Sequence, residues 1–254
     1  MVAYSALVLA AGRGPDDPMA KAYGVANKST IPIAGIPMLR RVVTALEESG
    51  CVRSIAVSIE KPELAKAVIG ESALTLAPAG SAPASVMKAV KDGLPYPLLI
   101  TTGDHALLTA DMVRYFCQST EKTDAGFTVG LATAETILAA YPQSVRTFFR
   151  LDKDRVSGCN LFILRDAAGL KLLERWQYLE QVRKKPWRLV AAFGLSPLFR
   201  YLTGTLDLAT AMRLLSKRLG CKVQAILMPF AEAAIDVDKP ADKELAEEIL
   251  AKRR

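Results

Sequence analysis

The stretch Ala6-Leu7-Val8-Leu9-Ala10-Ala11-Gly12-Arg13-Gly14 decides the fold. Its apolar residues run together without polar alternation and stop at two glycines. Such a run is a strand covered on both faces, which is the habit of a parallel sheet. A signal peptide would need a basic leader ahead of it, and none is present. Ala6–Ala10 is therefore read as a buried strand that ends in a loop.

Working outward, strand-like and helical patterns alternate. Met38–Glu48 is a helix with Leu39, Val42, Val43 and Leu46 on one face. Ser54–Ile59 is a strand, Glu63–Ile69 a short helix, Leu74–Ala77 a strand and Ala84–Lys91 a helix. Leu98–Thr102 is a fully apolar strand. Asp111–Gln118 is a helix with Thr109 as its cap, and Phe127–Leu131 is a further strand. This alternation implies an α/β protein with a mainly parallel sheet between helical layers. Beyond it, Thr147–Leu151 and Cys159–Leu164 read as strands joined at Asp152–Arg155. Residues 166–220 read as helical, with Ala168, Leu172, Leu173, Trp176, Leu179 and Val182 on one face. Val223–Met228 is a strand and Asp242–Lys252 a closing helix. With no repeat or linker, residues 1–254 read as one domain carrying a helical insertion at about 166–222.

Composition narrows the function classes. The 254 residues are 51% hydrophobic, enough for a sizeable core and too many for disorder. No apolar run approaches the roughly 20 residues of a membrane-spanning helix. Cys51, Cys117, Cys159 and Cys221 are scattered, and His105 is the only histidine, so neither a zinc site nor a disulfide framework is expected. Reduced thiols point to the cytoplasm. The net charge of +7 is concentrated: residues 146–222 carry 16 basic and 6 acidic side chains, whereas residues 1–145 carry 12 and 13. Such a patch favours an anionic partner. No zinc-finger, homeodomain or RNP-like motif accompanies it, so sequence-specific nucleic-acid binding is not expected.

Four places carry chemistry. The loop Ala10–Gly14 follows the first strand, where α/β proteins bind ligands, and its glycines let backbone N–H groups reach phosphate. It is not a dinucleotide fingerprint: Asp17 holds the third glycine position, and Pro15–Pro18 reads as loop rather than helix. Lys28, ahead of Ile31-Pro32-Ile33-Ala34-Gly35-Ile36-Pro37-Met38-Leu39, is placed to face a phosphate, against the plainer reading of a surface lysine before an edge strand. Asp104 ends the apolar strand 98–102, a site for a carboxylate that holds Mg2+ against phosphates. In Ile235-Asp236-Val237-Asp238 the two acids are expected to diverge. Asp236 is then the second metal ligand and Asp238 a helix cap ahead of Pro240.

In this order and combination the four elements resemble the molybdenum cofactor guanylyltransferase-like nucleotidyltransferases. The resemblance covers almost the whole chain and is poorest over 166–222. It implies a Rossmann-like nucleotidyltransferase fold, a three-layer αβα sandwich. It implies a Mg2+-dependent enzyme that moves a nucleotidyl group from a nucleoside triphosphate to a phosphorylated small-molecule acceptor, releasing pyrophosphate. Ala10, Ala11, Gly12, Arg13, Gly14 and Lys28 match the triphosphate-binding positions, with Lys21 a rival to Lys28. Gly80, Ser81 and Ser85 match where relatives meet base and ribose, and Asn160 where they meet the acceptor. Asp104 and Asp236 match the metal-binding acids, and Arg13, Lys28 and Asp104 carry catalysis. The sequence departs from the family pattern at Pro15–Pro18, at Ile36 and at Ala106.

The basic segment, with Arg183, Lys184, Lys185, Arg188 and Arg200, would then face the acceptor. Its apolar run at 187–199 leaves room for a peripheral membrane contact. Two rivals stand beside this reading. A glycosyltransferase would use Asp236-Val237-Asp238 as its D-x-D motif, and a degenerate nucleotide-binding protein would bind without turnover.

Overall fold

The structure is a computed structural model that describes residues 2–12, 14, 16–152, 154–170, 172–174 and 195–253. The first strand, β1 (Tyr4–Leu9), lies in the middle of the main sheet. Its successive residues go to opposite faces. Tyr4, Ala6 and Val8 enter one core cluster and Leu7 the other, with Ala6, Leu7 and Val8 completely buried. Each fully buried Leu or Val contributes about 1.5–3 kcal/mol, which is why the run carries no polar alternation.

The remaining strands are β2 (Pro32–Ile33), β3 (Ile36–Pro37), β4 (Val52–Ser58), β5 (Leu74–Leu76), β6 (Leu98–Thr102), β7 (Phe127–Thr133), β8 (Phe149–Leu151), β9 (Asp154–Leu164) and β10 (Val223–Leu227). The eight-stranded main sheet runs β10-β7-β9-β6-β1-β4-β5, with β8 paired to β9. Its pairings are parallel except where β9 meets β6, β7 and β8. β2 and β3 form a separate two-stranded ribbon.

The helices are α1 (Pro18–Ala22), α2 (Met38–Glu48), α3 (Pro62–Ile69), α4 (Ala82–Lys91), α5 (Ala110–Glu121), α6 (Ala134–Ala140), α7 (Leu195–Leu202), α8 (Leu208–Leu219) and α9 (Pro240–Lys252). α2, α3, α5 and α6 cover one face of the sheet. α4, α8 and Leu172–Leu173 cover the other. The fold is thus the expected αβα sandwich with a mixed, mainly parallel sheet.

The helix at 38–48 and the strand at 98–102 have the bounds their patterns predict, and Thr109 caps α5 with its hydroxyl. Several segments differ from expectation. β9 begins at Asp154, inside the stretch expected as a turn, because Asp154–Val156 pair with β8. The seven-residue helix α6 follows β7 where no helix was expected. The chain does not stay in loop through Pro18: Asp17 accepts from the N–H groups of Met19 and Ala20 at 2.9 and 3.0 Å and starts α1. An aspartate followed by proline is a strong helix start, but five residues are too few to leave a periodic pattern. Lys28 does not precede an edge strand directly; Lys28–Thr30 is a 3-10 turn capped by Asn27. Much of the helix expected around 168–182 lies outside the described residues. Among the described residues no helix is long and apolar enough to cross a membrane, and all four cysteines are buried free thiols.

A third cluster underlies the site. Met19, Ile31, Ile33, Met38, Ala106, Leu107, Ile235, Val237, Ala246 and Ile249 pack together. They fasten α1, the Lys28 turn, the segment after β6 and α9 into one platform.

Candidate active site

A cleft of about 470 Å³ opens beyond the carboxyl ends of β1, β4 and β6. Ala10, Ala11 and Gly12 form one wall, and Pro78, Ala79, Gly80, Ser81, Ala82 and Ser85 another. Lys28, Asp104, Asn160, Asp236 and Asp238 line its floor. Most residues singled out from the sequence therefore share one cavity. Gly14 is exposed, with φ +80°, and is not among the residues that line the cleft. Arg13, Arg183, Lys184, Lys185 and Arg188 lie outside the described residues. Arg200 is exposed on α7. Lys21 pairs with Asp16 at 2.7 Å and is 61% exposed, away from the cleft lining.

Close packing brings the first loop and the acid-bearing turn together. A Cβ on Gly103 would stand 3.0 Å from the Ala10 Cβ and 3.1 Å from the Ser29 Cβ. Glycine at 103 therefore lets the β6 end touch both the loop after β1 and the Lys28 turn. Asn27, also buried, ties these two: its Nδ2 donates to the Ala10 carbonyl at 2.9 Å, and its Oδ1 accepts from the Ser29 N–H and hydroxyl. The Ser81 and Ser85 hydroxyls serve the opposite wall. Ser81 caps α4 through the Ala84 N–H, and Ser85 accepts from the Ala79 N–H at 2.9 Å.

The Lys28 ammonium donates to Asp104 Oδ2 and to Asp238 Oδ1, each at 2.6 Å. Burial pulls its pKa down, but the two carboxylates outweigh burial and hold it above an ordinary lysine. Asp104 is held by its backbone as well, since its carbonyl accepts from the Val237 N–H at 3.1 Å. Its Oδ1 is buried with no hydrogen-bond partner among the described residues.

The acidic segment 235–238 corrects one expectation. Alternate residues of an extended segment lie on the same side. Ile235 and Val237 are fully buried in the platform, so Asp236 and Asp238 both face the cleft instead of diverging. Nor is Asp238 the cap of α9: the N-cap is Lys239, and Asp242 in the first turn reaches back to accept from the N–H groups of Asp238 and Lys239. Asp236 accepts from Asn160 Nδ2 at 3.2 Å and from Arg146. Burial raises its pKa, with Asp104 adding to the rise and Arg146 opposing it. Asn160 holds a left-handed backbone, φ +49°, next to the register shift of β9 against β7. Asparagine tolerates this conformation better than most non-glycine residues, and here it turns the side chain toward Asp236.

Arg146, Asn27, Asp242 and Asp238 were not singled out as site residues from the sequence. Only Asp238 carried a signal, the period-two alternation with Ile235 and Val237. His105, beside Asp104, is fully buried, and burial drives its pKa down to about 4 against the pull of Asp104 and the Ala233 backbone. It is a neutral core side chain.

Among the described residues no three His, Cys, Asp or Glu side chains form a metal site by themselves. Mg2+ characteristically takes one or two carboxylates and completes its shell with water and substrate phosphates. Asp104, with its orphaned buried oxygen, and Asp236 fit that donor set.

The family model for the MobA-like NTP transferase domain matches residues 6–182. The chain belongs to that family and is a nucleotidyltransferase-type enzyme. A hypothetical transferase from Thermus thermophilus is similar, with 28% identity, a TM-score of 0.82, and coverage of 95% of this chain and 100% of that one. CMP:2-keto-3-deoxy-manno-octonic acid synthetase in complex with CTP shares the fold, at 12% identity and TM-score 0.63 over 99% and 100% of the two chains. So does 4-diphosphocytidyl-2C-methyl-D-erythritol synthase from Anaerococcus prevotii, at 11% identity and TM-score 0.60 over 98% and 99%. No curated protein matches the chain significantly.

Proposed function

We propose that this member of the MobA-like NTP transferase family moves a nucleoside monophosphate from a nucleoside triphosphate to a phosphorylated small-molecule acceptor, releasing pyrophosphate. The observation that carries this reading is the convergence of the glycine loop, Lys28, Asp104 and Asp236 on one cleft at the strand ends.

The acceptor's phosphate oxygen attacks the α-phosphorus, and the bond to the β-phosphate oxygen breaks. A phosphate monoester is already ionised near neutrality, so no general base is needed. The lone, neutral His105 accords with that. What the chemistry needs is in-line positioning and neutralisation of charge. Backbone N–H groups of Ala10–Gly14 cradle the phosphates. Lys28 and Arg13 stabilise the charge that develops on the departing pyrophosphate. The wall at 78–85 holds the base and ribose, with Ser81 and Ser85 shaping its backbone. Asn160 stands on the acceptor side. Mg2+ held by Asp104 and Asp236 would neutralise phosphate oxygens. The basic segment 166–222 supplies cations for the acceptor's phosphate.

The test is pyrophosphate release from each of the four NTPs with Mg2+, across a panel of sugar, alditol and pterin phosphates, for the wild type and Asp104→Ala. Release that depends on acceptor and falls at least a hundredfold in the variant supports the reading. Undiminished turnover in Asp104→Ala would sink the site. Consumption of a nucleotide-sugar without pyrophosphate would move the chain to the glycosyltransferases.

A further inference from the structure

Arg146 lies between α6 and β8, with no glycine loop or acidic motif nearby in sequence, and its side chain is only 8% exposed. One Nη donates to the Asp236 carboxylate. The other donates to the Asp236 main-chain carbonyl and to Asp242 Oδ1, each at 3.1 Å. The second oxygen of Asp242 accepts from the N–H groups of Asp238 at 3.0 Å and Lys239 at 2.9 Å. A single guanidinium thus fastens the carboxylate and backbone of one cleft acid and, through Asp242, the backbone of the other.

A role in packing alone does not account for this. Burying a cation is costly, and a whole buried cluster of ion pairs can often be replaced by apolar side chains at no loss of stability, although deleting one partner alone is destabilising. Here the Nε is buried without a hydrogen-bond partner among the described residues, so the burial is not even fully compensated. What a planar fork offers that an apolar side chain does not is fixed geometry for carboxylates.

We propose that Arg146 is a positioning residue for the acidic edge of the cleft: it orients Asp236, holds Asp238 in place through Asp242, and so sets the affinity for the divalent cation that accompanies the nucleotide. This rests on the functional reading above. Arg146 is not among the residues that line the cleft. Its loss acts on the metal and leaves nucleotide binding without metal intact.

The experiment uses the full chain, with Mn2+ as the metal probe and an α,β-methylene NTP as the non-reacting nucleotide. Mn2+ binding is followed by electron paramagnetic resonance, and nucleotide binding in EDTA by calorimetry. Residues that orient metal ligands typically govern affinity by 10–100-fold. Arg146→Met is expected to weaken Mn2+ in the ternary complex at least tenfold while changing metal-free nucleotide binding less than twofold. Arg146→Lys recovers part of the loss, since it restores charge without the fork. Asp242→Asn moves in the same direction by a smaller factor, and it stands in if Arg146→Met does not fold. Mn2+ affinity within twofold of wild type in the folded variant overturns the inference. So does an equal loss of metal-free nucleotide binding, which would mark Arg146 as a general scaffold. The Asp104→Ala protein separates the two levels. If it binds Mn2+ with nucleotide as tightly as wild type, the functional reading fails and this inference with it. If only the Arg146 and Asp242 variants are silent, the functional reading stands.

Discussion

Replacing Lys28 by Met removes the ammonium that bridges Asp104 and Asp238 at 2.6 Å each. The Lys28 and Asp104 side chains are 16% and 18% exposed, whereas Asp238 is 45% exposed. Breaking a buried ion pair by deleting one partner costs about 3–5 kcal/mol. The more exposed Asp238 arm adds little, and partial exposure softens the Asp104 arm. A loss of about 2–3 kcal/mol is expected for Lys28→Met, on the order of 4–12 °C in Tm for a chain of this length. The negative charge of Asp104 and Asp238 is then less neutralised, so Mg2+ finds a better site than in the wild type. At ten times its Kd, Mg2+ returns about 1.4 kcal/mol. Thermal unfolding with and without Mg2+, in the absence of nucleotide, reads both effects. Lys21→Met, which removes an exposed pair with Asp16, is the control and leaves Tm unchanged. A Lys28→Met protein with wild-type Tm and no greater response to Mg2+ would refute the idea that Lys28 neutralises the acid pair.

Three further outcomes follow from the same geometry. Gly103→Ala forces a Cβ to 3.0 Å from Ala10 and 3.1 Å from Ser29, an overpacking cost of about 1–3 kcal/mol; Gly158→Ala, which meets nothing within 4 Å, stays near neutral in the same urea titration. His105 is held at a pKa of about 4 against an ordinary 6.5. The unfolded imidazole therefore takes up its proton first, and stability falls as pH drops from about 6.5 to 4, by about 3 kcal/mol at most. Asp236, raised by burial, works in the opposite sense, so a flatter stability–pH curve in His105→Asn isolates the histidine, and an unchanged curve counts against it. Asn160→Gly keeps the left-handed backbone at no steric cost while losing the contact to Asp236. It is expected to hold its Tm and lose catalytic rate, and a rate equal to wild type would remove Asn160 from the site.

The sheet and the cleft were legible because both leave contiguous marks in the chain. A strand buried on both faces must be apolar throughout, and the glycines of the loop leaving it stand out against that run. Those marks located β1, β6 and the first wall of the cleft. Short elements left none. Asp17 starts a five-residue helix too brief for a period, and α6 is only seven residues long. Asp238 was legible in principle through its alternation with Ile235 and Val237. Arg146 was not. It reaches Asp236 across 90 residues and Asp242 across 96, and nothing local distinguishes it from the surrounding basic segment. Long-range pairs of this kind are a property of the folded surface, which is why the acid-bearing edge was only half visible in advance.

Following the label from an NTP tests the central claim most directly. The chain is incubated with Mg2+ and a small-molecule cell extract as acceptor source, using α-32P-labelled and γ-32P-labelled nucleotide in parallel. Nucleotidyl transfer puts the α label into a new nucleotide-linked product and the γ label into pyrophosphate, both abolished in Asp104→Ala. Transfer of the γ label to an acceptor, or its release as inorganic phosphate while the α label stays in a nucleoside diphosphate, would contradict it.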